Sequence, residues 1–214
     1  MEKLLLIFLF SCFLCIAQTQ SCNNPQELIS NLEQSFSSVS GYSCKMKITS
    51  FEKDKEEQNQ IVWFLKPSYL KVEQLGPFKK GAIAAIQPNG KVRGYYKGFF
   101  SFFKVTLNKN DPRLISITGD HIRDTDYGSM IERLKKEMQN VVSFHCDTIT
   151  ENGINMIKAD ANLKGSFDRY RFYIDKDKWI IFKMERFKNN SLVHKIEWED
   201  IVLNPGLDEK LFVF

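Results

Sequence analysis

Residues 63–70 read WFLKPSYL and decide the fold predicted for this chain. A run of strand-forming residues stops at Lys66-Pro67, and a second apolar strand begins directly behind it. Proline has no N–H to donate to a sheet ladder, so it belongs at a strand end, an edge or a bulge. The lysine beside it then lies at the rim of an apolar surface. This arrangement favours binding of an amphiphile over chemistry on a small polar molecule.

From Tyr42 onward, apolar and polar residues alternate with a period of two, which is typical of half-buried strands. Turn signals such as Pro88-Asn89-Gly90 separate the segments. No β–α–β alternation is present, which disfavours a parallel sheet. The predicted strands cover residues 42–50, 60–66, 68–75, 81–87, 91–96, 99–107, 141–150, 155–163, 169–174, 179–187 and 192–203.

Two amphipathic helices interrupt the strands. The first is predicted to begin after Asn24 as N-cap, with Pro25 at the first helical position and Glu27 two positions later. The second is predicted from Tyr127 to Gln139, capped by residues 124–126. The apolar stripe of the first helix contains Leu28, Ile29, Leu32 and Phe36, and that of the second contains Met130, Ile131, Leu134 and Met138.

The predicted fold is therefore α+β: a single, strongly curved antiparallel sheet of about ten or eleven strands, with helices covering its concave face. Such a half-open β-barrel has an inner face that apolar groups can line entirely. No internal repeat and no Ser/Gly-rich linker is visible, so residues 18–214 are predicted to form one domain.

The N-terminus predicts export. Residues 4–16 are uncharged and mostly apolar but shorter than the roughly 20 residues of a membrane span. They fit a signal peptide of residues 1–17, and a periplasmic or otherwise exported location follows. The alternative is a lipid anchor, because residues 9–12 (LFSC) loosely resemble a lipobox.

Cleavage would leave Cys22, Cys44 and Cys146. An oxidising compartment permits one disulfide among them, but the sequence does not select the pair. Cys44 and Cys146 each lie in a strand-like run, and both are interpreted as small buried hydrophobic residues.

No motif for catalysis, metal binding or a cofactor is present. The three histidines are widely separated without metal-ligand spacing, and neither GxSxG nor a phosphate-binding loop occurs. The net charge of +4 is carried by dispersed residues, whereas nucleic-acid binding calls for a one-sided basic stripe. We therefore expect a non-enzymatic protein without a cofactor that does not bind nucleic acid.

Aromatic residues are abundant, with 18 phenylalanines, seven tyrosines and three tryptophans. Residues 99–103 read FFSFF, and a strand turns successive side chains to opposite faces. We interpret this segment as lying between core layers or lining a cavity.

Three segments resemble the superfamily of the periplasmic outer-membrane lipoprotein carrier and its outer-membrane receptor. They are SSVSGYSCKMKIT (residues 37–49), IVWFLKPSYLKVEQ (61–74) and IVLNPGLDEKLFVF (201–214). Two others are similar to an uncharacterised exported subgroup, GPFKKGAIAAIQPNGKVRGYY (76–96) and NDPRLISITGDHIRDTDYGSMIERL (110–134). The resemblance implies a half-open barrel with a helical lid over a hydrophobic cavity.

The resemblance places the family's functional arginine at Lys66 and an apolar cargo-handling residue at Leu70. An arginine fork binds backbone carbonyls and holds the lid shut, but lysine is a flexible point charge. Lysine at this position therefore weakens the case for a lid latch, and we expect Lys66 to meet lipid phosphate or carbonyl oxygens. Methionines are flexible enough for a deformable lining, although each is interpreted first as ordinary core.

The predicted function is to hold lipid or the acyl chains of a lipoprotein, with membrane-bound donor and acceptor proteins as further partners. The alternative is a protein-interaction or envelope-sensing module on the same scaffold with a filled interior. The expected lipid-binding residues are Trp63, Phe64, Lys66, Tyr69, Leu70, Phe100, Phe102, Met130 and Leu134, and the lid helix contributes Leu28, Leu32 and Phe36.

Overall fold

The computed structural model describes residues 22–52, 54–98, 102–108, 110–151, 153–164 and 167–214. Their strands form one antiparallel sheet of eleven members, in the order β6-β5-β4-β3-β2-β1-β11-β10-β9-β8-β7. Within these ranges the edge strands β6 and β7 do not pair with each other, so the sheet is a half-open, curled barrel, as predicted. The strands are β1 (Gly41–Ser50), β2 (Glu56–Leu65), β3 (Tyr69–Pro77), β4 (Ala82–Ile86), β5 (Val92–Tyr96), β6 (Val105–Leu107), β7 (Val141–Glu151), β8 (Ile154–Leu163), β9 (Arg169–Asp175), β10 (Ile180–Lys188) and β11 (Ser191–Leu203).

Both predicted helices are present. Helix α1 spans Pro25–Ser37, and the Asn24 side chain accepts a hydrogen bond from the Glu27 backbone N–H. Helix α2 spans Tyr127–Glu137 with Asp126 as N-cap, and a short 3₁₀ turn follows it. Because each helix buries its apolar stripe, the pair covers part of the concave face of the sheet.

Strand β2 shows how the alternation sets the two faces. Gln58, Gln60, Val62 and Phe64 are buried, whereas the residues between them are partly exposed. The concave face therefore carries the even-numbered residues of this strand. Register with β3 pairs Phe64 with Leu70 and places both on the concave side.

The helices are fixed to the sheet by buried polar contacts as well as by packing. The Tyr127 N–H donates to the Tyr42 hydroxyl at 3.1 Å, and the Tyr127 hydroxyl donates to the Ile181 carbonyl. Both tyrosines are almost completely buried. Each phenol thus has a partner in a dry environment, where an unpaired one would be costly.

One strand prediction was wrong. Of the predicted strand 99–107, only Val105–Leu107 pairs with β5, and residues 99–101, including Phe100, lie outside the described residues. Phe102 and Phe103 precede the strand with 63% and 60% of their surface exposed. They are exposed because they lie beyond the last pair of the edge ladder.

The interpretation of Cys146 as a buried hydrophobic residue was also wrong. Cys146 forms a disulfide with Cys22, and the two Cα atoms are 6.0 Å apart. The bond joins the segment before α1 to edge strand β7. Cys44 is buried and has a free thiol, as interpreted, and burial raises its thiol pKa to about 12.

Candidate functional site

The concave side of the sheet divides into two regions. The region under α1 and α2, formed by β1 and β7–β11, is filled with large side chains, and we call it the filled half. Its most deeply buried members include Tyr42, Leu134, Phe172, Ile174, Ile181 and Met184. This half has the close packing of an ordinary protein core.

The region formed by β2–β6 retains a cavity of about 330 Å³, and we call it the hollow half. Its volume is at the lower end of the range for small-molecule sites, about 300–1,000 Å³. Its rim includes Tyr96, Phe103 and Val105. Its walls include Val72, Ile83, Ala84, Gly94, Tyr95, Leu107, Leu114 and Ile122.

Small residues at inward positions explain why this half is hollow. Ala84 pairs with Gly94 across β4 and β5, and Gly94 pairs with Val105 across the edge. Val72 lies opposite Ala84 on the other side. Three adjacent strands thus place a valine, an alanine and a glycine side by side, and their side chains are too short to fill the space.

The floor of the cavity is polar. Gln60 Oε1 accepts from Gln58 Nε2 at 2.8 Å and from Gln74 Nε2 at 2.9 Å. Gln58 Oε1 in turn accepts from the Ile117 N–H at 3.2 Å. These bonds satisfy both side-chain oxygens of Gln58 and Gln60, whereas Gln74 Oε1 is buried without a hydrogen-bond partner among the described residues.

The segment 112–125 covers the cavity as a roof containing two 3₁₀ turns. Lys79 Nζ donates to the carbonyls of Arg113 at 2.9 Å and Ile115 at 3.2 Å. Burial lowers the pKa of Lys79, and the Asp111 carboxylate opposes that effect. Polar contacts therefore help to hold the roof in place.

A second depression lies beside the helices. This cleft of about 1070 Å³ is lined by Phe36, Phe64 and Lys66 on one side and by charged residues of and before α2 on the other. Lys66 Nζ donates to the carbonyls of Phe36 at 3.0 Å and Ser37 at 2.9 Å. A lysine ammonium can thus bind two terminal carbonyls of α1, the kind of contact that the sequence analysis associated with an arginine fork.

The residues predicted to bind lipid do not share one surface. Leu28, Leu32, Leu70, Met130 and Leu134 are at most 3% exposed and belong to the packed core. Phe36, Phe64 and Lys66 line the cleft, and Phe102 contacts Phe103 at the cavity rim with ring centroids 4.2 Å apart.

Trp63 and Tyr69 lie on the opposite, convex face of the sheet. The Lys71 ammonium lies 5.3 Å from the Trp63 ring centroid. The Tyr69 hydroxyl donates to Glu209 at 2.7 Å, and its ring packs on Phe212. This placement corrects the expectation that both would line the same interior as Phe64, because neighbouring strand residues face opposite ways.

The sequence analysis missed the residues that line the cavity. The usable signal was the set of short side chains at inward positions, Ala82, Ala84 and Gly94, since these cannot fill a curved sheet. The described residues contain no group of three or more potential metal ligands. Within the same residues, no helix is both long and apolar enough to cross a membrane.

No family model matches the chain, and no curated protein matches it. Solved structures do. An uncharacterised conserved protein from Thermus thermophilus is 12% identical with a TM-score of 0.54, over 87% of this chain and 91% of that one. The lipoprotein LppX from Mycobacterium tuberculosis is 11% identical with a TM-score of 0.50, over 86% and 98%.

A LolA superfamily protein from Nitrosomonas europaea also matches, at 9% identity and a TM-score of 0.43, over 90% of this chain and 99% of that one. At these identities the comparisons show a shared fold: the half-open sheet predicted for this chain is also the fold of the Thermus thermophilus protein and of LppX.

Proposed function

We propose that this protein is an exported, non-enzymatic binding protein that holds an apolar chain of a lipid in the cavity of the hollow half. The observation that carries the proposal is the cavity itself, which lies between β2–β6 and the roof and has mainly apolar walls. Each CH₂ group removed from water contributes about 0.8 kcal/mol, so burial alone can hold an acyl chain. The fold, shared with a lipoprotein, supports this proposal.

Export is supported by the Cys22–Cys146 disulfide, because such bonds persist mainly in oxidising compartments. The signal peptide of residues 1–17 and the single domain of residues 18–214 belong to the same proposal. A lipid or lipoprotein acyl chain would then be met outside the cytoplasm, with membrane-bound donor and acceptor proteins as partners.

The second candidate is a protein-interaction or envelope-sensing module. It is favoured by one observation: the filled half is closely packed beneath the helices, so the lid residues cover a core. In this case the cavity would be incidental, and purified protein would carry no lipid.

The test is mass spectrometry of lipids extracted from the purified protein, together with titration of a fluorescent fatty acid. Ala84→Leu should fill the cavity and reduce fatty-acid affinity at least tenfold, whereas Ala84→Ser, which adds little volume, should retain binding. If preparations are free of lipid and Ala84→Leu leaves fatty-acid binding unchanged, the cavity is not the lipid-binding site, and the interaction module is favoured.

A further inference from the structure

Exposed apolar side chains are concentrated at the cavity rim. Tyr96, Phe103 and Val105 all contact the cavity and are 52%, 60% and 44% exposed. Phe102, 63% exposed, contacts Phe103 with the two rings tilted by 40°. Single exposed apolar residues are common on soluble proteins, but a group of large ones marks an interaction surface. We call these four residues the aromatic rim.

Basic residues accompany the aromatic rim. Lys97 and Lys104 are exposed in the segment between β5 and β6, and Lys80 is exposed in the turn between β3 and β4. Lys79 and Arg113 line the cavity. Two carboxylates oppose them: Glu73 pairs with Lys97, and Asp111 with Arg113. Five cations against two anions, counted over the described residues, give this end of the sheet a positive charge, although the chain as a whole carries only +4 on 214 residues.

We propose that the aromatic rim and its lysines dock on the surface of an anionic lipid bilayer. Aromatic side chains favour the interface between headgroups and acyl chains, and nearby lysines are attracted by anionic headgroups. The aromatic rim and two of the lysines, Lys97 and Lys104, lie between Tyr96 and Val105, and the other basic residues lie on the β3–β4 turn and the roof. An anionic bilayer offers a partner for both components at once, an interfacial layer for the aromatic side chains and headgroup charges for the lysines.

This docking would place the cavity mouth against the bilayer. An apolar chain could then pass between the membrane and the cavity without crossing water, a consequence that rests on the proposed function. The docking itself does not depend on it, because Phe102, Lys80 and Lys104 do not line the cavity.

The experiment is flotation of the purified protein with vesicles at low ionic strength. One set contains phosphatidylglycerol and phosphatidylethanolamine, and the other contains phosphatidylcholine alone. The variant Phe102→Ser/Phe103→Ser should lower the bound fraction on anionic vesicles at least tenfold. Lys80→Gln/Lys104→Gln should lower it several-fold and weaken its dependence on salt.

The matched control is Val142→Ser/Val202→Ser, which removes two exposed apolar residues on β7 and β11, away from the rim. It should bind vesicles as the unchanged protein does. A Phe103→Trp variant adds an independent readout, because its emission should shift to the blue when anionic vesicles are added. All variants are compared at equal folded fraction by circular dichroism.

Equal flotation on neutral vesicles, or unchanged flotation of Phe102→Ser/Phe103→Ser, would overturn the proposal. A larger loss in the valine control than in the phenylalanine variant would do the same. Failure of the proposed function is distinguishable: if Ala84→Leu and the unchanged protein both lack fatty-acid binding but float normally, docking stands and the carrier role does not.

Discussion

The filled half and the hollow half belong to one continuous sheet, yet their interiors differ. In the filled half, Ala159 and Ala161 on β8 face Phe172 and Tyr170 on β9, so each small residue lies beside a large one. In the hollow half, Ala84 faces Gly94, and both side chains are short. The comparison shows that a curved sheet is hollow where short side chains pair with one another across strands.

The helices sharpen this difference. Helices α1 and α2 bury their apolar stripes mainly in the filled half, although Phe36 also packs on Phe64 of β2. The irregular segment 112–125 covers the hollow half and also reaches β10, where Asp120 pairs with Arg186. A helix delivers a continuous row of large side chains to a core, but 3₁₀ turns deliver few. The half covered mainly by helices is therefore filled with side chains, and the half covered by 3₁₀ turns keeps a cavity.

The largest expected effect is on stability and tests the disulfide that ties α1 to the filled half. Cys22→Ser/Cys146→Ser should lower the free energy of unfolding by about 2–5 kcal/mol, because the bond closes a long loop. Denaturant titration measures the loss. Cys44→Ala, which removes a thiol without a cross-link, is the control and should cost less.

Amide hydrogen exchange shows which part of the molecule is destabilised when the disulfide is removed. Amides of α1 and β7 should exchange faster in the disulfide variant, because the bond joins these two regions. Faster exchange confined to β4 and β5 would contradict the assignment of the bond to the filled half.

A matched pair of substitutions compares the two interiors directly. Ala159→Leu in the filled half should cost about 1–3 kcal/mol, because Ala159 is fully buried and extra atoms overpack a close-packed core. Ala84→Leu adds the same atoms to a space of about 330 Å³ and should leave stability nearly unchanged. Equal costs in denaturant titration would show that the halves do not differ in packing.

Lys66 tests how the lid is held. Lys66→Met keeps most of the length of the side chain but loses both hydrogen bonds to the end of α1, and it should cost about 1 kcal/mol. Lys66→Arg can donate to the same carbonyls and should restore most of that loss. Amide exchange in the last turn of α1 gives a local readout, and no difference between Met and Arg would argue against the latch.

The smallest effect concerns pH. Burial lowers the pKa of His194 below its ordinary value, Arg186 adds to this, and Glu52 and Asp120 oppose it. In the unfolded chain this histidine binds a proton near pH 6.5, whereas in the folded chain it binds one only at lower pH. The free energy of unfolding therefore falls as the pH drops below about 7. His194→Gln should make this fall shallower in thermal melts between pH 7 and 5. An equally steep fall would exclude His194 as a source.

The sequence predicted the regular parts of this fold well because periodicity reports local geometry. The alternation after Tyr42 and the Asn24-Pro25 helix start each depend on neighbouring residues, and both were confirmed. The antiparallel sheet followed from hairpin spacing, and its half-open form was implied by the family resemblance. These features need no knowledge of distant contacts.

The site could be predicted less well because it depends on which residues meet across strands. Trp63 was assigned to the lipid-binding residues together with Phe64, but its odd-numbered position in β2 places it on the convex face. The phenylalanines at 102 and 103 were assigned to a core layer or a cavity lining within a strand, yet the edge ladder ends before them. The partner of Cys22 depended on bringing β7 beside the start of α1, which no local pattern reveals.

Helix α1 is secured differently at its two ends. A covalent bond at Cys22, just before the helix, ties its first turn to β7, whereas two hydrogen bonds from Lys66 hold its last turn. Thermal or denaturant stress breaks hydrogen bonds and leaves a disulfide intact. Helix α1 should therefore detach from its C-terminal end first, from Ser37 toward Pro25. The disulfide keeps the released segment beside the sheet, so that it can repack quickly.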